Sequence, residues 1–307
     1  MGDARLDGFD PRTVDKVERL LDLLEEFGEH PALAGKIAMH GGTAINLFMF
    51  DLPRLSVDID ISYVGAVGRD EMMAERPLVE RAIQQAAKAQ GYAVSPGEGG
   101  HAGRTFVLNY RSPWGPDHVK VDCIYMNRSP LVPPTPRESV MRPGLGVTMF
   151  SNEELAGGKV KAFFDRVKIR DLYDIGNLAH YAESLSCDDE ARFHKTVLYY
   201  ASMSAAFPHG FESRPERFEK LHKEYRDQLV PMLRKSSESD LDSLVSTARG
   251  FIEGFVLPRD NSEREYLDYF AAGDYRPELL FGQCETAERA AVNPEALWKL
   301  QNIRKMN

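Results

Sequence analysis

Two aspartates, Asp58 and Asp60, stand one residue apart in "SVDIDISYV". On a strand this spacing puts both carboxylates on one face and turns Val57, Ile59 and Ile61 to the other. Two ionised carboxylates so close repel each other unless a cation lies between them. Magnesium suits the pair, because it prefers carboxylate oxygens and completes its shell with water and substrate phosphates. Two ions held this way can activate an attacking hydroxyl and stabilise a leaving pyrophosphate. Upstream stand Gly41, Gly42 and Thr43. The glycines permit a tight turn with close backbone approach, and Thr43 sits where a helix N-terminus offers N–H groups to an anion. An anion site joined to a cation site by a short helix and turn is what a nucleoside triphosphate with magnesium requires. Each feature alone also fits something plainer: a strand with an acidic solvent face, and an ordinary strand-to-helix turn.

A third carboxylate stands in "HVKVDCIY", where Asp122 shares a face with Lys120 and Ile124, opposite Val119, Val121, Cys123 and Tyr125. It faces solvent, or it is held in a site as general base or third ligand if its strand neighbours the Asp58–Asp60 strand. Further along, Lys159, Phe163 and Arg166 recur at helical spacing, so a lysine and an arginine can point the same way. Asp171 and Asp174 share a face of the next helix, where one can orient Lys159 or Arg170. A surface helix laced with ion pairs explains the same residues. Arg54 and Ser56 precede the aspartates as second-line candidates or turn residues, and His40 reads as a packed histidine.

The elements that must position these groups follow from periodicity. Residues 11–27 form an amphipathic helix, with Asp10 as cap, Pro11 at its first position and Gly28 as its end. "KIAMH" (36–40) is a strand, followed by a helix over 43–50, the turn "DLPR" and the strand "LSVDIDISYV". A helix spans 77–90, opened by Pro77. Strands follow at "YAV", 104–111 and 118–126, with the turn cluster "SPWGPD" between the last two. Proline is dense from 130 to 143, and the character then changes. Ser151 and Glu154 make a capping box opening a helix to about residue 166. Helical periodicity continues over 191–206, 215–234, 240–256, 263–271 and 294–304, with no further strand. The expected organisation is an α/β (α+β) domain with a mixed sheet over 1–150, followed by an all-helical domain over 151–307.

Composition sets the bounds. A chain of 307 residues with 43% hydrophobic content can bury a sizeable core, and a charged fraction of 28% excludes disordered and membrane compositions. No apolar run is long enough for a bilayer, and "MGDARLDGFD" lacks the order of a signal peptide, so a cytoplasmic location without a membrane partner is expected. Cys123, Cys187 and Cys284 are too widely spaced for a disulfide framework or a zinc site. A net charge of −9 argues against a whole-surface nucleic-acid binder and leaves room for a local basic groove.

Taken together, Gly-Gly-Thr, a short helix, D-x-D and a hydrophobic-Asp-hydrophobic strand resemble the nucleotidyltransferase superfamily of polymerase β type. Within it, "GGTAINLFMFDLPRLSVDID", "EELAGGKVKAFFDRVKIRDLYDI" (153–175) and "NPEALWKLQNI" (293–303) resemble the abortive-infection AbiEii-type toxin family. Threonine replaces the superfamily's usual serine after the glycine and keeps its hydroxyl; the gap to the aspartates is longer than usual. The resemblance implies that Gly42 and Thr43, beside Gly41, hold the nucleotide's phosphates. It further implies that Asp58, Asp60 and Asp122 bind Mg²⁺ in a two-metal site. Lys159 would reach the triphosphate, with Arg166 on the same helix face, and Asp174 would serve beside it. The implied reaction transfers a nucleoside monophosphate from an NTP to an acceptor hydroxyl. Among relatives the tRNA 3′ end is an acceptor, in toxins neutralised by an antitoxin from a neighbouring gene. Lys159, Lys161, Arg166, Lys168 and Arg170 could then form a basic rim for tRNA. Two other readings fit: a small-molecule nucleotidyltransferase of the aminoglycoside-modifying kind, whose cationic substrate suits an acidic chain, and a non-catalytic protein that binds NTP or an antitoxin.

Overall fold

The computed structural model describes residues 6–208, 221–237 and 240–306. The chain divides by its internal contacts into two compact units, Met1–Phe150 with Pro231–Ser236, and Ser151–Val230 with Ser237–Asn307. The short return of 231–236 to the first unit is held by backbone bonds. Leu55 N–H donates to the Met232 carbonyl at 2.8 Å and Lys235 N–H to the Gly8 carbonyl at 2.9 Å.

The first unit is built on a seven-stranded sheet in the order β3-β4-β5-β2-β1-β7-β6. Its strands are β1 (Ile37–His40), β2 (Asp58–Tyr63), β3 (Ala93–Gly99), β4 (Gly103–Ser112), β5 (Gly115–Ile124), β6 (Thr135–Glu138) and β7 (Gly146–Met149). β2 runs parallel to β5 and β1 parallel to β7, while the other neighbours are antiparallel, so the sheet is mixed as expected. Helices α1 (Pro11–Glu29) and α3 (Arg69–Ala89) cover the face that carries Ile59, Ile61, Val119, Val121 and Cys123, all buried. α1 starts where its cap predicts: the Asp10 carboxylate accepts from Thr13 N–H at 3.0 Å. Its stripe of Val17, Leu20, Leu21, Leu24 and Phe27 is buried. Full burial of each such side chain contributes about 1.5–3 kcal/mol.

Three expectations of local structure are corrected. The helix expected from Pro77 begins at Arg69, with Asp70 and Glu71 in its first turn. Pro77 lies on the exposed side, where water can take the carbonyl bond that a proline leaves unmade. The helix expected over 43–50 is α2 (Gly41–Ala44) running into a π-helical turn, Ile45–Met49. The proline-dense stretch and the residues just after it hold two unforeseen strands, β6 and β7. β6 is one of the two edge strands, the place in a sheet where Pro136 needs no ladder hydrogen bond.

The second unit contains α4 (Asn152–Arg166), α5 (Ile169–Glu183), α6 (Cys187–Ser202), α7 (Leu221–Glu224), α8 (Leu241–Phe255), α9 (Asn261–Ala271), α10 (Glu278–Phe281), α11 (Glu285–Ala291) and α12 (Pro294–Met306). Among its described residues there is no strand, again as expected. Side-chain caps start α4 and α9: Ser151 accepts from Glu154 N–H at 3.3 Å and Asp260 from Glu263 N–H at 2.8 Å. An aromatic core of Phe193, Tyr199, Tyr200, Tyr266 and Phe270 fills the space between them. Of the helix expected over 215–234, residues 215–220 lie outside the described residues. The remainder is α7, a π-helical turn at Tyr225–Leu229 and a single 3-10 turn, Val230–Met232.

Candidate active site

In the first unit β1, β2 and β5 lie side by side, and their register brings the acids together. His40 is the Cα partner of Asp60, and Asp60 is the Cα partner of Asp122. Asp58, Asp60 and Asp122 therefore occupy one face of adjacent strands, opposite the helix-covered face, and all three are half-buried. The Thr105 hydroxyl on β4 donates to an Asp122 carboxylate oxygen and fixes its orientation. His40 packs against Phe150, ring centroids 5.7 Å apart.

Gly41 follows His40 directly at the foot of this group. Its φ of +75° is a conformation that L side chains avoid, and a Cβ here would fall on the Asp60 carboxylate. Gly42 is tight for another reason: a Cβ there would lie 2.9 Å from Arg54 Nη2 and 3.1 Å from Ser56 Oγ. Arg54 is only 2% exposed, and its Nη1 donates to the Leu55 carbonyl at 2.8 Å. A buried guanidinium thus backs the glycine turn, which raises Arg54 and Ser56 above the turn role that sequence allows them. The one local signal is Leu52, whose φ of +56° marks a strained chain reversal just before Arg54. Thr43 is fully buried, and its hydroxyl donates to the Asp58 carbonyl at 2.5 Å. Its side chain therefore ties α2 to the D-x-D strand.

In the second unit α4 and α5 are joined through Val167, which has a φ of +48°, a strained value for a β-branched residue. The reversal lays Lys159 against α5, where its ammonium lies 3.0 Å from Asp171 and 2.9 Å from Asp174. Arg166 grips the same Asp171 with two bonds, Nε to Oδ2 at 2.7 Å and Nη2 to Oδ1 at 2.9 Å. Burial pushes the Asp171 pKa up, but Lys159 and Arg166 outweigh it and hold the carboxyl well below its ordinary range. Lys159, Asp171 and Asp174 are buried, whereas the Arg166 side chain is 58% exposed. Two further expected rim cations, Lys161 and Lys168, are neutralised inside the unit as well. Lys161 pairs with Asp165 and Glu295, and Lys168 pairs with Glu224 at 2.6 Å.

The family model for the nucleotidyl transferase AbiEii toxin of type IV toxin–antitoxin systems matches residues 22–247. The chain belongs to this AbiEii family. The matched span contains Gly41, Gly42, Thr43, Asp58, Asp60, Asp122, Lys159, Arg166 and Asp174. Among solved structures the chain is similar to MenT4, a nucleotidyltransferase toxin of Mycobacterium tuberculosis H37Rv, with TM-score 0.57 and 14% identity over 92% of this chain and 94% of that one. It is also similar to JHP933 from Helicobacter pylori, with TM-score 0.50 and 16% identity over 81% and 93% of the two chains. At these identities the likeness is one of fold. No curated protein matches the chain by sequence.

For an AbiEii chain the implied metal can be tested against its donors. Among the described residues no group of three or more His, Cys, Asp and Glu side chains is drawn close enough to hold an ion by itself. The acids of β2 and β5 still fit magnesium in kind. They are carboxylates on one half-open face, the donor set of an ion that takes much of its shell from phosphate and water. Among the described residues no helix is long and apolar enough to cross a membrane.

Proposed function

We propose that this AbiEii-family chain is a magnesium-dependent nucleotidyltransferase toxin that transfers a nucleoside monophosphate from an NTP to the 3′ end of tRNA and so blocks growth. The observation that carries the reading is the shared register of His40, Asp60 and Asp122, with Gly41 directly after His40. Acids and glycine turn are thereby at one place on one sheet face. The acceptor hydroxyl oxygen forms a bond to the α-phosphorus as the bond to the β-phosphate breaks, pyrophosphate leaves, and the hydroxyl proton passes to a carboxylate. Asp122, oriented by Thr105, is the group we assign to receive that proton. Asp58 and Asp60, with Asp122, would hold the magnesium, which when bound neutralises phosphate charge and polarises phosphoryl oxygens. Gly41 and Gly42 would admit the phosphates close to the backbone, with the Arg54 guanidinium behind Gly42 adding positive potential. Most of the rate enhancement then comes from positioning and electrostatics.

In the helical unit the resemblance assigns Lys159, Arg166 and Asp174 to the nucleotide. We propose that Arg166, the exposed end of the chain Asp174–Lys159–Asp171–Arg166, is the group that meets phosphate, and that Lys159 and Asp174 hold it in place. The antitoxin partner follows from the family alone.

The test is incubation with each labelled NTP, magnesium and total RNA, followed by separation of RNA classes. Label at tRNA 3′ ends, absent in Asp58→Ala, is the expected result. Label in an aminoglycoside and never in RNA would replace the acceptor, and tight NTP binding with no transfer to anything would make the protein non-catalytic.

A further inference from the structure

The sheet face that bears the acids continues outward along the β4–β5 ribbon. Residues 116, 118, 120 and 122 of β5 alternate onto this face, and their register partners on β4 are Arg111, Asn109, Val107 and Thr105. The opposite face of the ribbon is covered by α1: Arg12 and Lys16 pair with Asp117, and Arg19 lies 4.3 Å over the Tyr110 ring. On the open face a row runs from Asp122 through exposed Lys120 and half-buried His118 to exposed Arg111. Among the described residues Lys120 and Arg111 form no ion pair; past Asp122 the β4–β5 row itself holds no carboxylate, and Asp58 on β2 is the register partner of Lys120. In a chain of net charge −9, whose Lys159, Lys161, Arg166 and Lys168 are all matched by carboxylates, this positive row stands out.

At its outer end is the two-residue loop Pro113-Trp114. Trp114 N–H donates to the Ser112 hydroxyl at 3.2 Å, and that hydroxyl donates to the Gly115 carbonyl at 2.9 Å. The bonds fix a loop on which the Trp114 side chain is 51% exposed. An indole held open to water at the end of a cationic row has no part in the core. It has the properties of a base-stacking platform.

We propose that this row is the track for the single-stranded 3′ segment of a polynucleotide acceptor. Trp114 stacks on a base, Arg111 and Lys120 meet phosphates, and the terminal hydroxyl lies at Asp122. The direction of the strand rests on the nucleotidyl-transfer reading; the binding itself does not. From Pro116 to Asp122 the ribbon extends about 20 Å at about 3.4 Å per residue, a span for a few extended nucleotides. Stacking on an aromatic ring is tolerant of base identity, and phosphate contacts carry the salt dependence.

The test uses the full chain and a fluorescein-labelled single-stranded oligoribonucleotide of about eight residues, within the range such platforms cover. Anisotropy is followed across a salt series. Trp114→Ala is expected to weaken binding about tenfold and Trp114→Phe to restore most of it, because the ring is what stacks. Arg111→Glu with Lys120→Glu is expected to weaken binding more than tenfold at ~0.1 M salt and to flatten the log–log salt slope by about two. Melting temperature should be unchanged in all three variants, and its rise with magnesium and NTP unchanged in the two Trp114 variants. Wild-type RNA affinity in both Trp114→Ala and the double variant would overturn the track. Loss of antitoxin binding with RNA affinity intact would likewise overturn it, making the row a protein interface. Oligonucleotide binding that depends on Trp114, with no nucleotide transfer by the wild type, would spare the track and sink the enzymatic reading.

Discussion

The Lys159 ammonium lies 2.9 Å from the Asp174 carboxylate, with the two side chains 5% and 0% exposed. Removing the cation leaves Asp174 buried without it and takes one of two cations from Asp171. Breaking a buried pair from one side typically costs about 3–5 kcal/mol. Lys159→Ala should therefore lower the denaturation midpoint sharply. Lys161→Ala, which breaks pairs nearer the surface, should cost about 1 kcal/mol or less. Urea titration of both variants checks this. Equal stability with selective loss of NTP binding in Lys159→Ala would instead make Lys159 a direct phosphate contact.

Asp171 links acid stability to the same network. Its folded pKa is depressed because Lys159 and Arg166 overcome its burial. Such a group contributes stability that is complete above its unfolded pKa of about 3.9 and is lost as pH falls from there through the folded value. Asp171→Asn should accordingly be less stable than wild type at neutral pH and lose less on acidification below about pH 4. Melting curves between neutral pH and the acid limb give the comparison; parallel curves would show that Asp171 does not carry this linkage.

His194 works over a higher window. It is buried on α6, its Nε2 lies 3.0 Å from Glu263 Oε2 on α9, and its Nδ1 is buried without a hydrogen-bond partner among the described residues. Burial lowers its pKa, against the opposing pull of Glu263. The folded state thus binds fewer protons than the unfolded one, and stability falls as pH drops below the unfolded pKa of about 6.5. His194→Gln, which keeps a donor and cannot ionise, should show a flatter stability profile between about pH 7 and pH 5. A profile as steep as that of the wild type would assign the slope to other groups.

Gly41 and the aspartates should separate site from fold. Asp58→Ala and Asp60→Ala each relieve repulsion and should remove activity at unchanged or raised melting temperature. Magnesium and NTP together should stabilise the wild type more than either alone, because the carboxylates hold only part of the ion's shell. Gly41→Ala should cost about 1–3 kcal/mol through its positive φ and displace the Asp60 carboxylate, abolishing the joint stabilisation. Calorimetry of the variants with magnesium, NTP and both decides it. A drop of many degrees in Asp58→Ala would mean that the pair is structural.

What the chain determines by itself is what acts over a few residues. Alternation puts Asp58 and Asp60 on one strand face, and Asp10 and Ser151 begin their helices as caps, because these effects need only neighbours in sequence. The order of a mixed sheet followed by helices was equally legible from hydrophobic period. Partners far apart in sequence were not. Nothing local says that Asp60 registers with Asp122, that Arg54 backs Gly42, or that the Thr43 hydroxyl turns to the Asp58 carbonyl. Lys159 looks from sequence like a cation on a helix face, and only the reversal at Val167 buries it between Asp171 and Asp174. Pro77 reads as a helix start and the prolines around Pro136 as a change of character, because sequence does not show which side of a helix meets water or which strand lies at an edge. Long-range pairing decided these, since a side chain's role depends on which surface the rest of the fold brings against it.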